Sequence, residues 1–349
     1  MAYISFQPND YFNTLLYTDN GANRTLTGVG FQPDWVWIKT RNHANSHNIF
    51  DAVRGANKVI RSNSTSAEVT TTDTLTAFTS DGFSLGVDAS GYGVNYDNKN
   101  EVSWNWKAGN SAGSSNSDGN ITSTVSVNTT AGFSIVKYTG NETGTRTIGH
   151  GLGAVPQMII VKNLDDGSLN WPVYHHRLGN TKYLLLNDTA AQQTSSNYWA
   201  DTTPTSSVFS VGGNHNVNKN SQDFIAYCFA EKSGFSKFGR YVGNGNADGQ
   251  FMYTGFKPAW LMLKQTGTQG WFLVDNKRPS HFNPIDGSLH PNSSAVEDTS
   301  SDFFVDFLAN GFKLRDSDAQ LNGNNNDYIY AAFAAEPLVS SNNIPATAR

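Results

Sequence analysis

Pro33-Asp34-Trp35-Val36-Trp37-Ile38-Lys39 decides the fold of this chain. From Trp35 to Ile38 the run is apolar without a break. Strand alternation puts Trp35 and Trp37 on one face and Val36 and Ile38 on the other. A strand apolar on both faces is a central strand covered by two layers. Proline at the start costs no ladder hydrogen bond. The lysine at the end is expected to carry its charge to water or to a carboxylate. The pattern returns as Pro156-Gln157-Met158-Ile159-Ile160-Val161-Lys162 and as Pro258-Ala259-Trp260-Leu261-Met262-Leu263-Lys264. Its repeat signature is therefore Pro33, Trp35, Lys39; Pro156, Met158, Lys162; Pro258, Trp260, Lys264.

Other landmarks recur in the same order around each copy, which is how an internal repeat is recognised. Upstream stand Phe12 to Tyr17, Phe133 to Tyr138 and Phe235 to Tyr241. Downstream come Gly82-Phe83-Ser84-Leu85, Val208-Phe209-Ser210-Val211 and Gly311-Phe312-Lys313-Leu314. An acidic residue then opens an aromatic strand at Glu101 to Trp106, Asp223 to Phe229 and Asp327 to Phe333. Between these landmarks, Asp51 and Arg54 match Asp275 and Arg278, but the second copy has His175 in place of the aspartate.

The expected fold is all-β: three tandem, diverged antiparallel β-sandwich modules of jelly-roll or lectin-like type. The expected bounds are 1–108, 132–233 and 234–339. A Gly/Ser/Asn-rich linker with a lead-in strand fills 109–131, and 340–349 is an extended tail. Ser301 to Leu308 fits either a short helix or a strand. Three small sandwiches with exposed edges favour homo-oligomerisation or attachment to a larger particle.

Composition narrows the function. Among 349 residues, 38% are hydrophobic, 12% aromatic and only 15% charged, with a net charge of −5. Coiled coils are richer in charge, and charge-driven disorder lacks such aromatics. No Lys/Arg cluster offers a phosphate-binding face, so nucleic acid is not an expected partner. No apolar run reaches a membrane span and no signal peptide is visible, so no membrane insertion is expected. The lone Cys228, in an apolar run, reads as a small buried hydrophobe.

Catalytic signatures are weak. The chain has no paired-carboxylate strand motif of a sandwich glycanase and no Gly-x-Ser-x-Gly. Gly149-His150-Gly151-Leu152-Gly153 occupies the slot of the turn before the Pro-to-Lys strand. His43 with His47, and His175 with His176, lack the further ligands a metal needs. No cofactor, metal or catalytic residue is expected. If a ligand binds, it should meet residues the copies do not share. Tyr92, Tyr96, Tyr198 and Trp199 stand in polar stretches of single modules and are the candidate ligand-binding aromatics.

The opening Met1-Ala-Tyr-Ile-Ser-Phe-Gln-Pro-Asn-Asp-Tyr-Phe-Asn-Thr resembles a family of marine tailed-phage proteins that carries a repeated domain of unknown function. So do Gly30 to Lys39, Gly132 to Gly140, His150 to Gly153 and the ending Asn342 to Arg349. Members are common among phages of marine cyanobacteria and other ocean bacteria. The resemblance implies a virion component assembled in the host cytoplasm, tail-fibre-like or capsid-decorating, with other virion proteins as partners. Host-surface carbohydrate is a candidate ligand. The alternatives are a depolymerase-type glycan-degrading enzyme and a pure assembly protein with no host contact. The resemblance supplies no catalytic residues.

Overall fold

A computed structural model of the chain describes residues 7–96, 98–278, 282–300 and 303–335, with the backbone of 338–339 and 345–346. It is built almost wholly of antiparallel sheets, arranged as three pairs of one large and one small sheet. The first large sheet runs Phe12–Thr18, Asn100–Trp106, Trp35–Thr40, Asn48–Asp51, Lys58–Arg61, Val69–Thr70. The third runs Ser236–Val242, Asp327–Ala334, Pro258–Gln265, Trp271–Asp275. The second has the same order at its centre, Phe133–Thr139, Asp223–Phe229, Met158–Asn163, Pro172–His175, extended on both sides. In each, the Pro-to-Lys strand pairs with the closing aromatic strand on one side, as Trp35 with Trp106, Met158 with Phe229 and Trp260 with Phe333.

In the first two sheet pairs the two faces of this strand go to different cores, whereas in the third both faces enter one core. Val36 and Ile38 pack under the first small sheet, Arg24–Thr27, Gly82–Leu85, Leu75–Thr79. Ile159 and Val161 pack under the second, Arg146–Gly149 and Val208–Val211. Trp35, Trp37, Met158, Ile160, Trp260 and Met262 all face one core shared by the three large sheets. Aromatic rings link those sheets: Trp35 lies 4.6 Å from Tyr227, Trp106 lies 5.5 Å from Trp260, and Phe229 lies 5.9 Å from Phe333. The residual cavity where the three signature strands meet is about 10 Å³, at the lower limit of what one water occupies.

The sheet pairs close in a ring. Glu68 N donates to Leu164 O, Gln192 N to Thr266 O and Glu297 N to Arg41 O, each at 2.8 Å. Each acceptor stands two residues past a signature lysine. The second pair thus docks on the first, the third on the second, and the first on the third. This ring covers one face of each large sheet within a single chain.

Several expectations change. The Gly/Ser/Asn-rich stretch is not a free linker: Ser114–Asn116 and Ser123–Asn128 pair as the edge of the second large sheet. Edge position tolerates such polar, glycine-flanked strands because one side of the ladder faces water. Val305–Leu308 is a strand; Ser301 and Asp302 lie outside the described residues. So does most of the 340–349 tail, of which Pro345–Ala346 pairs with Leu338–Val339. The signature lysines reach neither water nor a carboxylate. All three are fully buried and donate to backbone carbonyls. Lys39 Nζ binds Thr40 O at 2.6 Å, Lys162 Nζ binds Thr65 O at 2.8 Å, and Lys264 Nζ binds Gly267 O at 2.7 Å. Burial pushes each of their pKa values down to about 8.

Candidate functional site

Polar chemistry concentrates first at the junctions between sheet pairs. Where the second pair meets the first, Tyr227 Oη donates to Asp51 Oδ2 at 2.8 Å, and Arg54 joins Asp51 to Glu68. Where the first meets the third, Trp104 Nε1 donates to Asp275 Oδ2 at 2.9 Å. Arg278 there joins Asp275, at 2.7 Å, to Glu297, at 2.8 Å. Burial alone would raise the Asp275 pKa, but the Arg278 charge and hydrogen bonds from Arg278, Trp104 and the Lys277 amide hold it below the usual range.

At the third junction the whole set is exchanged together. Ala331 takes the ladder position of Tyr227 and Trp104, His175 replaces the aspartate, Leu178 the arginine and Gln192 the glutamate. A buried charge left alone costs several kcal/mol, so members of such a set change as a group. His175 is satisfied as a neutral ring: its Nδ1 accepts from the Arg177 amide and its Nε2 donates to Tyr330 O, both at 3.2 Å. Burial first, then His176 and Arg177, push its pKa down to about 3.

Two acids of enzymatic type do come together, at Asp19 and Glu101. Tyr17 pairs with Glu101 in the ladder, so Asp19, two residues on, is a diagonal neighbour on the same face. Burial raises the Asp19 pKa to about 7, and burial with the Asp19 charge raises that of Glu101. A proton shared between them relieves the repulsion. The loop above them is fastened by Tyr17 Oη to Val94 O, at 2.9 Å, and Thr40 Oγ1 to Gly93 O, at 3.1 Å. Asp19 is only 3% and Glu101 0% exposed, so neither carboxyl faces solvent.

The four candidate aromatics are not brought to one place. Tyr198 and Trp199 are buried, contrary to expectation, with Tyr198 stacked on Tyr183 at 3.6 Å. Ser195 caps their short helix, and its inner face carries both rings into the second sheet pair's core. Tyr92 is half-buried under the Arg61 guanidinium, 4.5 Å from the ring centre. Tyr96 alone of the four is well exposed, at 53%.

A different pair of aromatics stands out on the third small sheet, Phe251–Tyr253, Gly311–Leu314, Val305–Leu308. Phe251 and Tyr253 point outward on its edge strand, 43% and 65% exposed, while Met252 between them points in. Phe251 lies across Gly311 of the neighbouring strand: a Cβ there would fall 2.7 Å from Phe251 Cζ. The same face carries Lys313, paired in the ladder with Phe251 and Asp306. Lys313 and Arg315 bind Asp248, and Arg315 also reaches Asp306. The corresponding ladder positions in the other pairs are Thr25 with Thr27 and Thr147 with Gly149. The aromatic platform therefore belongs to the third pair alone. The signal in the sequence was the alternation Phe251-Met252-Tyr253 where its counterparts have threonine and glycine.

Among the described residues, no group of three or more His, Cys, Asp and Glu is placed to hold a metal, and no helix is long and apolar enough to cross a membrane. The model of a family described as a domain of unknown function, DUF7483, matches residues 7–337. No curated protein and no solved structure matches the chain.

Proposed function

We propose that this chain, which belongs to the DUF7483 family, is a non-catalytic structural protein on the surface of a tailed-phage particle. The observation that carries this reading is where the polar chemistry goes. Its buried carboxylates, arginines and lysines are spent on closing three sheet pairs into one body, and the acid pair that could do chemistry is sealed. The outer surface offers an aromatic platform instead. Exposed rings on a rigid sheet suit the apolar face of a sugar, and the flanking ion pairs supply acceptors and donors for its hydroxyls. On this reading Phe251 and Tyr253 meet host-surface carbohydrate while the rest of the body is scaffold. Support also comes from the resemblance of the opening, the Gly30 to Lys39 strand and the ending to marine tailed-phage proteins.

Mass spectrometry and immunogold labelling of purified particles test the placement. The protein is expected in stoichiometric amount on intact virions, and its absence from them would refute the proposal. Glycan-array binding by the purified chain tests the platform. Binding that is lost in Tyr253→Ala with an unchanged melting temperature is the expected result.

A further inference from the structure

The third junction differs from the other two in one more respect. Arg54 and Arg278 stand three residues past their aspartates and are each buried against two carboxylates. In the second sheet pair that position is Leu178, and the arginine stands one residue earlier. Arg177 is exposed, and no carboxylate pairs with its guanidinium among the described residues. Its backbone is nevertheless tied down. The Arg177 amide donates to His175 Nδ1, Leu178 N donates to His175 O at 2.9 Å, and His176 N donates to Gln157 O at 2.8 Å. The His176 ring is held to Phe238 O at 2.9 Å. The long side chain thus springs from a fixed turn.

Facing this turn is the edge strand Ser236–Val242 of the third large sheet. His176, Arg177, Arg240, Tyr241 and Val242 line an open, shallow cleft beside it. Arg240 is held by Asp327 at 2.7 Å, which cancels its charge. Burial first, with Arg177's charge adding, lowers the His176 pKa, so that ring is neutral near pH 7. One uncompensated positive charge remains in the lining, on a guanidinium whose fork fits two oxygens at once. The exposed Val242 supplies an apolar flank.

We propose that this cleft binds a ligand carrying one compact monoanionic oxyanion, a carboxylate or a sulfate ester, with Arg177 as its bidentate partner. A single free charge favours a monoanion over a phosphate dianion. The inference does not depend on where the protein resides, and its test is independent of the particle.

The full chain is titrated at constant ionic strength with sodium glucuronate, methyl sulfate and inorganic phosphate, and the backbone amide shifts of residues 176–178 and 240–242 are followed. Saturable shifts with glucuronate or methyl sulfate, exceeding those with phosphate, are expected; the two arms tell carboxylate from sulfate. Arg177→Gln should raise Kd by about tenfold or more, the loss of a charge-assisted pair. Lys277→Gln, at the equivalent position of the third sheet pair, should leave Kd unchanged. Because Arg177 is exposed, its variant should melt with the wild type, which separates loss of binding from loss of fold. The proposal is overturned if neither monoanion saturates, if phosphate binds most tightly, or if Arg177→Gln binds as wild type does.

Discussion

Replacing Arg278 by leucine tests whether the buried charge sets hold the ring of sheet pairs together. Arg278 donates to Asp275 Oδ2, to Glu297 Oε1 and to Leu273 O, and all three partners belong to its own sheet pair. Asp275 in turn accepts from Trp104 of the first pair, so the guanidinium sets the charge on which the junction rests. Leucine fills much of the space, as Leu178 does at the third junction, but leaves two buried carboxylates facing each other. Breaking a buried pair from one side costs about 3–5 kcal/mol. Asp275 keeps Trp104 and two backbone amides, and Glu297 keeps Arg41 at 2.8 Å, so the lower end, about 3 kcal/mol, applies. Asp275→Asn alone should cost a similar amount, since it leaves the buried Arg278 with Glu297 as its one carboxylate. The double variant should cost little more than either single change, a coupling of roughly 2–3 kcal/mol. Urea unfolding followed by tryptophan fluorescence measures all four states of this cycle. Single losses under about 1 kcal/mol, or costs that simply add, would show that the set is incidental to the junction.

Further outcomes follow from the core and from the titrating groups. Met158→Trp puts a third indole where Trp35 and Trp260 leave a 10 Å³ cavity, and should cost about 1–3 kcal/mol by overpacking in the same unfolding assay. Asp19 has a folded pKa of about 7, above its usual 3.8, so the folded state binds the extra proton. The contribution of Asp19 to stability is therefore fully present below the usual carboxylate range and is lost as pH rises through about 7, and Glu101→Gln should flatten that part of the slope in melting curves. The signature lysines act oppositely: their folded pKa of about 8 lies below the usual 10.5, so their contribution to stability should rise between those values. Phe251→Ala and Tyr253→Ala, on an exposed face, should change stability by less than about 0.5 kcal/mol each while abolishing glycan binding.

The fold class was legible because alternation reports burial face by face. The run Trp35 to Ile38 reads as a doubly covered strand, and it is one: its two faces enter two different cores. Cys228 reads as buried for the same reason and is buried. Alternation does not say what covers a face, however. The partner of Trp104 lies 171 residues away and that of Tyr227 lies 176 away, so nothing in either local pattern could announce the ring. Without the ring, a lysine at a strand end looks like a residue bound for water. Within it, Lys39, Lys162 and Lys264 end inside junctions, where carbonyls must stand in for solvent.

The misplaced aromatics have a related cause. Tyr198 and Trp199 sit among polar residues, and polar neighbours suggested a loop surface. Those neighbours are capping and turn residues instead: Ser195 accepts from the Asn197 amide, and Thr202 Oγ1 donates to Ala200 O. Such residues satisfy backbone groups at the ends of short helices and say nothing about the rings between them. The informative comparison was between copies, and it points the same way at both surface features. Phe251 and Tyr253 replace threonine and glycine at matched ladder positions, and Arg177 is shifted by one from a position where its counterparts are buried. A departure from the shared pattern that costs the core nothing, because its side chain faces water, is free to serve a ligand. A departure inside the core, such as His175, instead brings Leu178, Gln192 and Ala331 with it. That difference, a lone change at the surface against a concerted change at a junction, is what separates the two proposed contact surfaces from the structural variation around them.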